Sequence, residues 1–279
     1  MFRIIYETYW FFLSPMIWRV IVGANPHYEW AKMCVEHFKV NVHRVKNGVE
    51  PMRRKCLYMT NHRSEADFFM DQYLTHGSSI FLSRRMVALY AFPYLPTSYI
   101  SKSLLFFVRK KGIRDALYKQ VDQYWNKSSY PSLLVFPEGT RNQTPVSKPL
   151  KMGFVYYAYE RKLPIQIFIS TNKENVLSLQ KKWCSNDTTV RVAYAEPLDP
   201  EDYSSVEEFK TAVKHVWETT WNEAYDELSE TEAVEPYETS VHFSRPAFVT
   251  ASLCLNMAVL CLCVRFPLFL LYPLLGLLS

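Results

Sequence analysis

Two short apolar runs, residues 56–60 (CLYMT) and 132–136 (SLLVF), constrain this chain most, because each breaks into a polar corner. Runs of this length bounded by turn signals read as buried strands rather than helices. The first leads into residues 61–67 (NHRSEAD), after which residues 65–76 can be drawn as a helix. The second breaks at Pro137 into Glu138, Gly139, Thr140 and Arg141. Further strands are expected near 80–83, 104–108, 165–170 and 189–194, with helices over 113–126 and 151–161. This alternation predicts an α/β fold, a sheet flanked by helices. Open α/β sheets place their sites just beyond the carboxyl ends of strands, where both corners fall.

The first corner offers a base with an acid to orient it. Imidazole titrates near neutrality, and a carboxylate on one ring nitrogen fixes the tautomer and frees the other to take a proton. Asp67 reaches His62, five residues away, only if the chain turns between them. A structural reading competes: Ser64 followed three residues later by Asp67 matches a helix cap, and His62 alone could be a hydrogen-bonded corner residue. At the second corner Gly139 permits close backbone approach, and the Arg141 guanidinium can grip phosphate oxygens with two parallel bonds. In isolation that segment reads as a surface turn; the pairing of the two corners favours transfer chemistry on an anionic acceptor.

These residues resemble the PlsC-type glycerophospholipid acyltransferase family. Its first block, NH-x4-D, is matched by Asn61, His62 and Asp67, and its FPEGTR block by residues 136–141 without a gap. A G-x-x-F-x-x-R block is met by Phe106 and Arg109, with Ser103 in place of glycine. The Pro-rich fourth block is half met at residues 163–168, which keep Pro164 and lack a second proline. The resemblance covers roughly residues 50–195. It implies a glycerol-3-phosphate acyltransferase-like sheet and direct transfer from acyl-CoA to a lysophospholipid hydroxyl, without a covalent acyl-enzyme. In that scheme His62 and Asp67 are catalytic. Asn61, Arg109, Glu138, Gly139, Thr140 and Arg141 bind substrate, and Lys151, part of a Lys-x-Gly that often follows the motif, lies near phosphate or CoA. The expected acceptor is lysophosphatidic acid, with phosphatidic acid as product. Remodelling of another lysophospholipid, such as a lysocardiolipin or lysophosphatidylinositol, and a non-catalytic membrane-shaping scaffold are the alternatives.

Other chemistries lack motifs. There is no G-x-S-x-G elbow for a serine acyl-enzyme. The six cysteines form no C-x2-C pair and adjoin no histidine cluster, so no metal site is expected. With seven glycines and neither G-x-G-x-x-G nor a P-loop, no nucleotide cradle is indicated, and acyl-CoA is expected as co-substrate with no further cofactor. The net charge of +5 conceals a division: residues 1–195 carry 28 Lys plus Arg against 13 Asp plus Glu, whereas residues 196–238 carry 2 against 14. The basic part can attract headgroups and CoA phosphates. Nucleic acid is not an expected partner, because no binding motif accompanies the charge.

The expected organisation is an N-terminal membrane-associated helical segment (1–45), an acyltransferase domain (46–200), an acidic helix and connector (201–245) and a C-terminal transmembrane segment (246–279). Residues 247–264 are 18 residues without a charge, and a helix of that length spans about 27 Å, close to the bilayer core. Residues 4–24 are rich in aromatic and aliphatic side chains but carry Glu7, Pro15 and Arg19, which fits a signal anchor or an amphipathic helix or helical hairpin in one leaflet; the family resemblance implies the latter. Residues 206–228 read as an amphipathic helix. The bilayer is the expected partner, at the endoplasmic reticulum with the catalytic domain facing the cytosol, the location an expectation from the family.

Overall fold

The structure is a computed structural model and describes residues 26–84, 102–107 and 114–234. Its helices are α1 (Pro26–His37), α2 (Asp67–Leu74), α3 (Arg114–Trp125), α4 (Gly153–Glu160), α5 (Lys173–Val176) and α6 (Val206–Tyr225). The strands are β1 (Asn41–Val45), β2 (Cys56–Thr60), β3 (Ser79–Arg84), β4 (Leu104–Phe107), β5 (Ser132–Val135), β6 (Ile165–Ser170), β7 (Leu177–Ser178), β8 (Trp183–Cys184), β9 (Thr189–Tyr194) and β10 (Thr231–Ala233). The α/β fold expected from the alternation is present, a central sheet with helices on both faces.

Eight strands form the main sheet in the order β10-β1-β9-β6-β2-β5-β3-β4. The centre is parallel: β2 pairs with β5 on one side and β6 on the other, while β9 runs antiparallel to β6. Central parallel strands are covered on both faces and are mainly apolar, as β2, β5 and β6 are, every residue buried and only Thr60, Ser132, Gln166 and Ser170 polar. Alternate side chains then feed two cores. Tyr58, Leu134 and Phe168 pack with Trp30 of α1, Phe38 just beyond it, and Phe69 and Tyr73 of α2. Leu57, Met59, Leu133, Ile165, Ile167 and Ile169 pack with Val121, Val155, Phe209, Val213 and Trp217 from α3, α4 and α6.

The sheet extends beyond residues 46–200 on both sides. β1, drawn from the segment assigned to membrane association, pairs parallel with β9, and β10, from the acidic connector, closes the edge antiparallel to β1. Val42 and Val45 of β1, which lies between β10 and β9, are buried on opposite faces. The acidic helix α6 is seated on the sheet by Phe209, Val213, Trp217 and Trp221. Its start is fixed by Ser205, whose side chain accepts from the Glu208 amide, with Glu207 and Glu208 in the positive first turn. Two indoles of α6 hold the loop beyond the second corner: Trp217 Nε1 donates to Ser147 Oγ at 2.8 Å and Trp221 Nε1 to the Pro145 carbonyl at 2.7 Å.

Among the described residues no helix is long and apolar enough to cross a membrane. The segments read as membrane-associated, residues 4–24 and 247–264, lie outside the described residues, as does Arg109.

Candidate active site

Parallel pairing of β2 with β5 puts their carboxyl ends side by side, so the two corners meet. The Asn142 amide donates to the His62 carbonyl at 2.7 Å. The His62 ring stacks on Phe136, with centroids 4.4 Å apart and planes 22° from parallel. Phe136 thus fixes one face of the imidazole while the ring keeps 22% exposure.

Asp67 is sealed in the corner and organises it. Its Oδ2 accepts from His62 Nδ1 at 2.5 Å, from the Arg63 amide at 2.7 Å and from the Ser64 amide at 3.1 Å. Part of the helix cap competing for this residue is present as well: the Ser64 amide on Oδ2 is one half of a capping pair, and Ser64 Oγ accepts from the Ala66 amide at 3.1 Å, while Ala66, the residue before α2, makes no side-chain capping bond. Asp67 lies in the first turn of α2, where a negative charge meets the positive end of the helix dipole. Burial pushes its carboxyl upward, but Lys173, the His62 bond and the Arg63 amide outweigh it and hold the pKa below the ordinary value. Asp67 is therefore a carboxylate at neutral pH, and a carboxylate on Nδ1 leaves Nε2 as the free ring nitrogen.

Asn61 is turned inward. Its Nδ2 donates to the Ser170 carbonyl at 2.9 Å and its Oδ1 accepts from the Ser170 amide at 3.0 Å, tying the end of β2 to the end of β6. Asn61 is fully buried, and this pair of bonds gives it a structural role at the corner.

The second corner turns at Gly139, whose φ of +71° is a left-handed conformation that favours glycine. Glu138 is buried and braces the loop: Oε1 accepts from Asn142 Nδ2 at 2.6 Å and from the Lys148 amide at 3.0 Å. Thr140 is exposed. Arg141 is half-buried, and its guanidinium meets Glu65 Oε1 at 2.6 Å. That contact uses one end of a five-donor fork, which leaves N–H groups to bind an anion. Glu65 is held in turn by the Leu179 amide at 3.0 Å. Lys151 has an exposed side chain, and its amide donates to the Pro137 carbonyl at 2.8 Å, so it stands beside the corner on a fixed backbone.

Arg63, at a variable position of the first motif, and residues outside both motifs complete the corner. Arg63 is buried against Glu174 of α5, with Nε to Oε2 at 2.8 Å and a second, shorter bond from its terminal nitrogen, and donates to the Thr144 carbonyl at 2.7 Å. Lys173, fully buried at the start of α5, places its ammonium 3.1 Å from the Asn61 carbonyl, 2.8 Å from Asp71 Oδ1 and 3.2 Å from Asp67 Oδ1. Neither Lys173 nor Glu174 carries a signal in the sequence, since each meets its partner more than a hundred residues away. Asp71 sits one helical turn after Asp67, a spacing that could have pointed to a shared face. Among the described residues no cluster of histidine, cysteine and acidic side chains could hold a metal ion.

Residues 39–169 match the family model described as Acyltransferase. The chain is 26% identical over 162 residues to a 1-acyl-sn-glycerol-3-phosphate acyltransferase of Cocos nucifera, an alignment covering 56% of this chain and 50% of that protein. It is 26% identical over 160 residues to the enzyme of the same name from Limnanthes douglasii, covering 56% and 55%. The chain thus spans about half the length of the curated relatives it matches. The crystal structure of the 1-acyl-sn-glycerophosphate (LPA) acyltransferase PlsC from Thermotoga maritima superposes with a TM-score of 0.56 at 17% identity, over 82% of this chain and 99% of that one. That likeness shows the fold.

Proposed function

Because the chain belongs to the PlsC-type acyltransferase family, we propose that it moves a fatty acyl group from acyl-CoA to the free hydroxyl of lysophosphatidic acid, giving phosphatidic acid. The observation that carries this reading is the His62 Nδ1 to Asp67 Oδ2 contact of 2.5 Å beside the Arg141 corner. It joins a partly open imidazole, oriented by a buried carboxylate, to an anion-binding guanidinium.

In this scheme His62 Nε2 takes the proton of the acceptor hydroxyl as its oxygen attacks the thioester carbonyl. The tetrahedral intermediate collapses, the carbon–sulfur bond breaks, and the CoA thiolate leaves with the proton returned by the imidazolium. An ester and free CoA thiol result, and no protein group is acylated. Arg141 binds the acceptor phosphate through the N–H groups not engaged by Glu65, with Arg109 and Lys151 as further cations. Gly139 and Thr140 form the adjoining wall, and Glu138 holds the loop in place. His62 supplies a general-base contribution of about 10²–10⁴-fold.

The protein works at a bilayer, with residues 4–24 and 247–264 as its attachments, at the endoplasmic reticulum with the site on the cytosolic side. No cofactor beyond acyl-CoA is part of the scheme. The test is thiol release from oleoyl-CoA by membranes carrying the protein, with lysophosphatidic acid, lysophosphatidylinositol, lysocardiolipin and no acceptor in parallel. Release that requires lysophosphatidic acid is the expected result. Release with another lysolipid would reassign the acceptor, and none with any acceptor would overturn the proposal in favour of a scaffold.

A further inference from the structure

We infer that Lys173 is a positioning residue for the proposed reaction: from behind the corner its ammonium fixes the Asp67 carboxylate in the place from which it orients His62. The inference rests on the reading of His62 and Asp67 as the base and its partner. It begins from how the two oxygens of Asp67 are divided. Oδ2 is filled by the imidazole and two amides, while Oδ1 faces Lys173 Nζ at 3.2 Å and has no hydrogen-bond partner. The ammonium is thus the cation against the oxygen that the imidazole does not use.

Its placement is built from several segments. Nζ reaches the Asn61 carbonyl of the corner and Asp71 on α2, while the backbone carbonyl of Lys173 accepts from Ser64 Oγ at 3.2 Å. Asn172 precedes it with a φ of +59°, a left-handed turn that brings α5 back toward the corner at the end of β6. Burying an ammonium with no exposure is costly, and a well-packed apolar side chain in such a place is often as stable or more so. Stability alone therefore gives little reason for this lysine.

Charge arithmetic assigns the ammonium to Asp67. The charged and titratable groups facing the pair are His62 and Arg63 on the corner, Asp71 on α2, Lys173 and Glu174 on α5, and Tyr194 on β9. Arg63 is engaged by Glu174 through two nitrogens. Burial pushes Asp71 up to about 8, with Asp67 adding to the shift and Lys173 opposing it. Burial and the neighbouring Asp67 both favour the protonated form of Asp71, so the ammonium's charge is set chiefly against Asp67. Without Lys173 the buried Asp67 would lose its cation and its pKa would rise. That moves the onset of base catalysis to higher pH.

The experiment measures thiol release from oleoyl-CoA with lysophosphatidic acid, using the full chain in membranes, across pH and both substrate concentrations. It compares wild type, His62→Ala, Lys173→Met and the double variant Lys173→Met/Asp71→Leu, which removes the acid that the single change strands. Lys173→Met and the double variant are expected to lose about 10- to 100-fold in kcat. KM should stay within about twofold, and the acid limb of the pH profile should rise by about one unit or more. A double variant with wild-type kcat and an unmoved acid limb would overturn the inference while an inactive His62→Ala leaves the proposed reaction standing. Wild-type rates in His62→Ala would overturn both. Loss of the cooperative thermal transition in both lysine variants would assign Lys173 to the scaffold and overturn its positioning role.

Discussion

Replacing Asp67 by Asn keeps the shape of the corner and reverses half of its hydrogen-bond logic. Oδ2 now accepts from three donors while Oδ1 faces the Lys173 ammonium. An amide has one oxygen and one NH2. With its oxygen toward the three donors, the NH2 points at the ammonium 3.2 Å away from the original Oδ1. With the amide flipped, the NH2 meets the imidazole nitrogen and two backbone amides. Each orientation sets donor against donor, and the buried lysine loses the carboxylate that balances its charge. Removing one member of a buried ion pair costs about 3–5 kcal/mol, a large share of the roughly 5–15 kcal/mol that holds a domain folded. Asp67→Asn should therefore lose about 3–5 kcal/mol of unfolding free energy and about 10²–10⁴-fold in kcat. His62→Ala forfeits one bond to Asp67 and the stack on Phe136 at a partly exposed position, so it should match the loss in rate at a cost of only about 1–2 kcal/mol. Urea unfolding of the detergent-solubilised protein and thiol release, run on both variants, separate the two effects. Equal stability of the two variants, or a wild-type rate in Asp67→Asn, would refute the reasoning.

Other expectations follow from the same geometry. Asp71 is held protonated in the fold with a pKa raised to about 8, so its contribution to stability is full below the unfolded carboxylate value of about 4 and is lost as pH rises through 8; Asp71→Asn should abolish that decline in unfolding free energy between those limits. For Asp67 the folded pKa is depressed, so its contribution is present above the unfolded value and disappears as pH falls through the folded one; acid unfolding of Asp67→Asn should show a shallower pH dependence there. Asn61→Ala strands the buried Ser170 amide and carbonyl and should cost about 2–4 kcal/mol in urea unfolding, whereas a mainly substrate-binding role would leave stability unchanged and raise KM. Gly139→Ala places a Cβ at a φ of +71° and should lose about 1–2 kcal/mol, read from the same unfolding curves.

The sheet was legible where burial on both faces writes a continuous apolar run. β2 and β5 are close to such runs, β6 is one interrupted by Gln166, and their observed bounds fall within a residue of those expected. The edge was not, because β1 (NVHRV) and β10 (TEA) are short and mixed, and their pairing depends on partners remote in the chain. The acidic helix was visible from its amphipathic pattern, but its seat on β6 and β9 is a tertiary fact. At the site, spacing alone could suggest His62 beside Asp67, yet it left helix capping as an equal reading; the structure has one oxygen of Asp67 serve both, accepting from the Ser64 amide and from His62 Nδ1. A motif letter also says nothing about direction: Asn61 stands next to His62 and points into the sheet, while His62 points out. Lys173 is an ordinary lysine in sequence and becomes distinctive only when α5 folds it beneath the corner.

The central claim, that His62 acts as a base in lysophospholipid acylation, is tested most directly by transfer of labelled oleate from oleoyl-CoA to lysophosphatidic acid. Membranes carrying equal amounts of folded wild type or His62→Ala are compared, with the lipid product identified by mass spectrometry. Labelled phosphatidic acid from the wild type and a loss of about 10²-fold or more in the variant is the predicted result. Equal amounts of product from both proteins would contradict it.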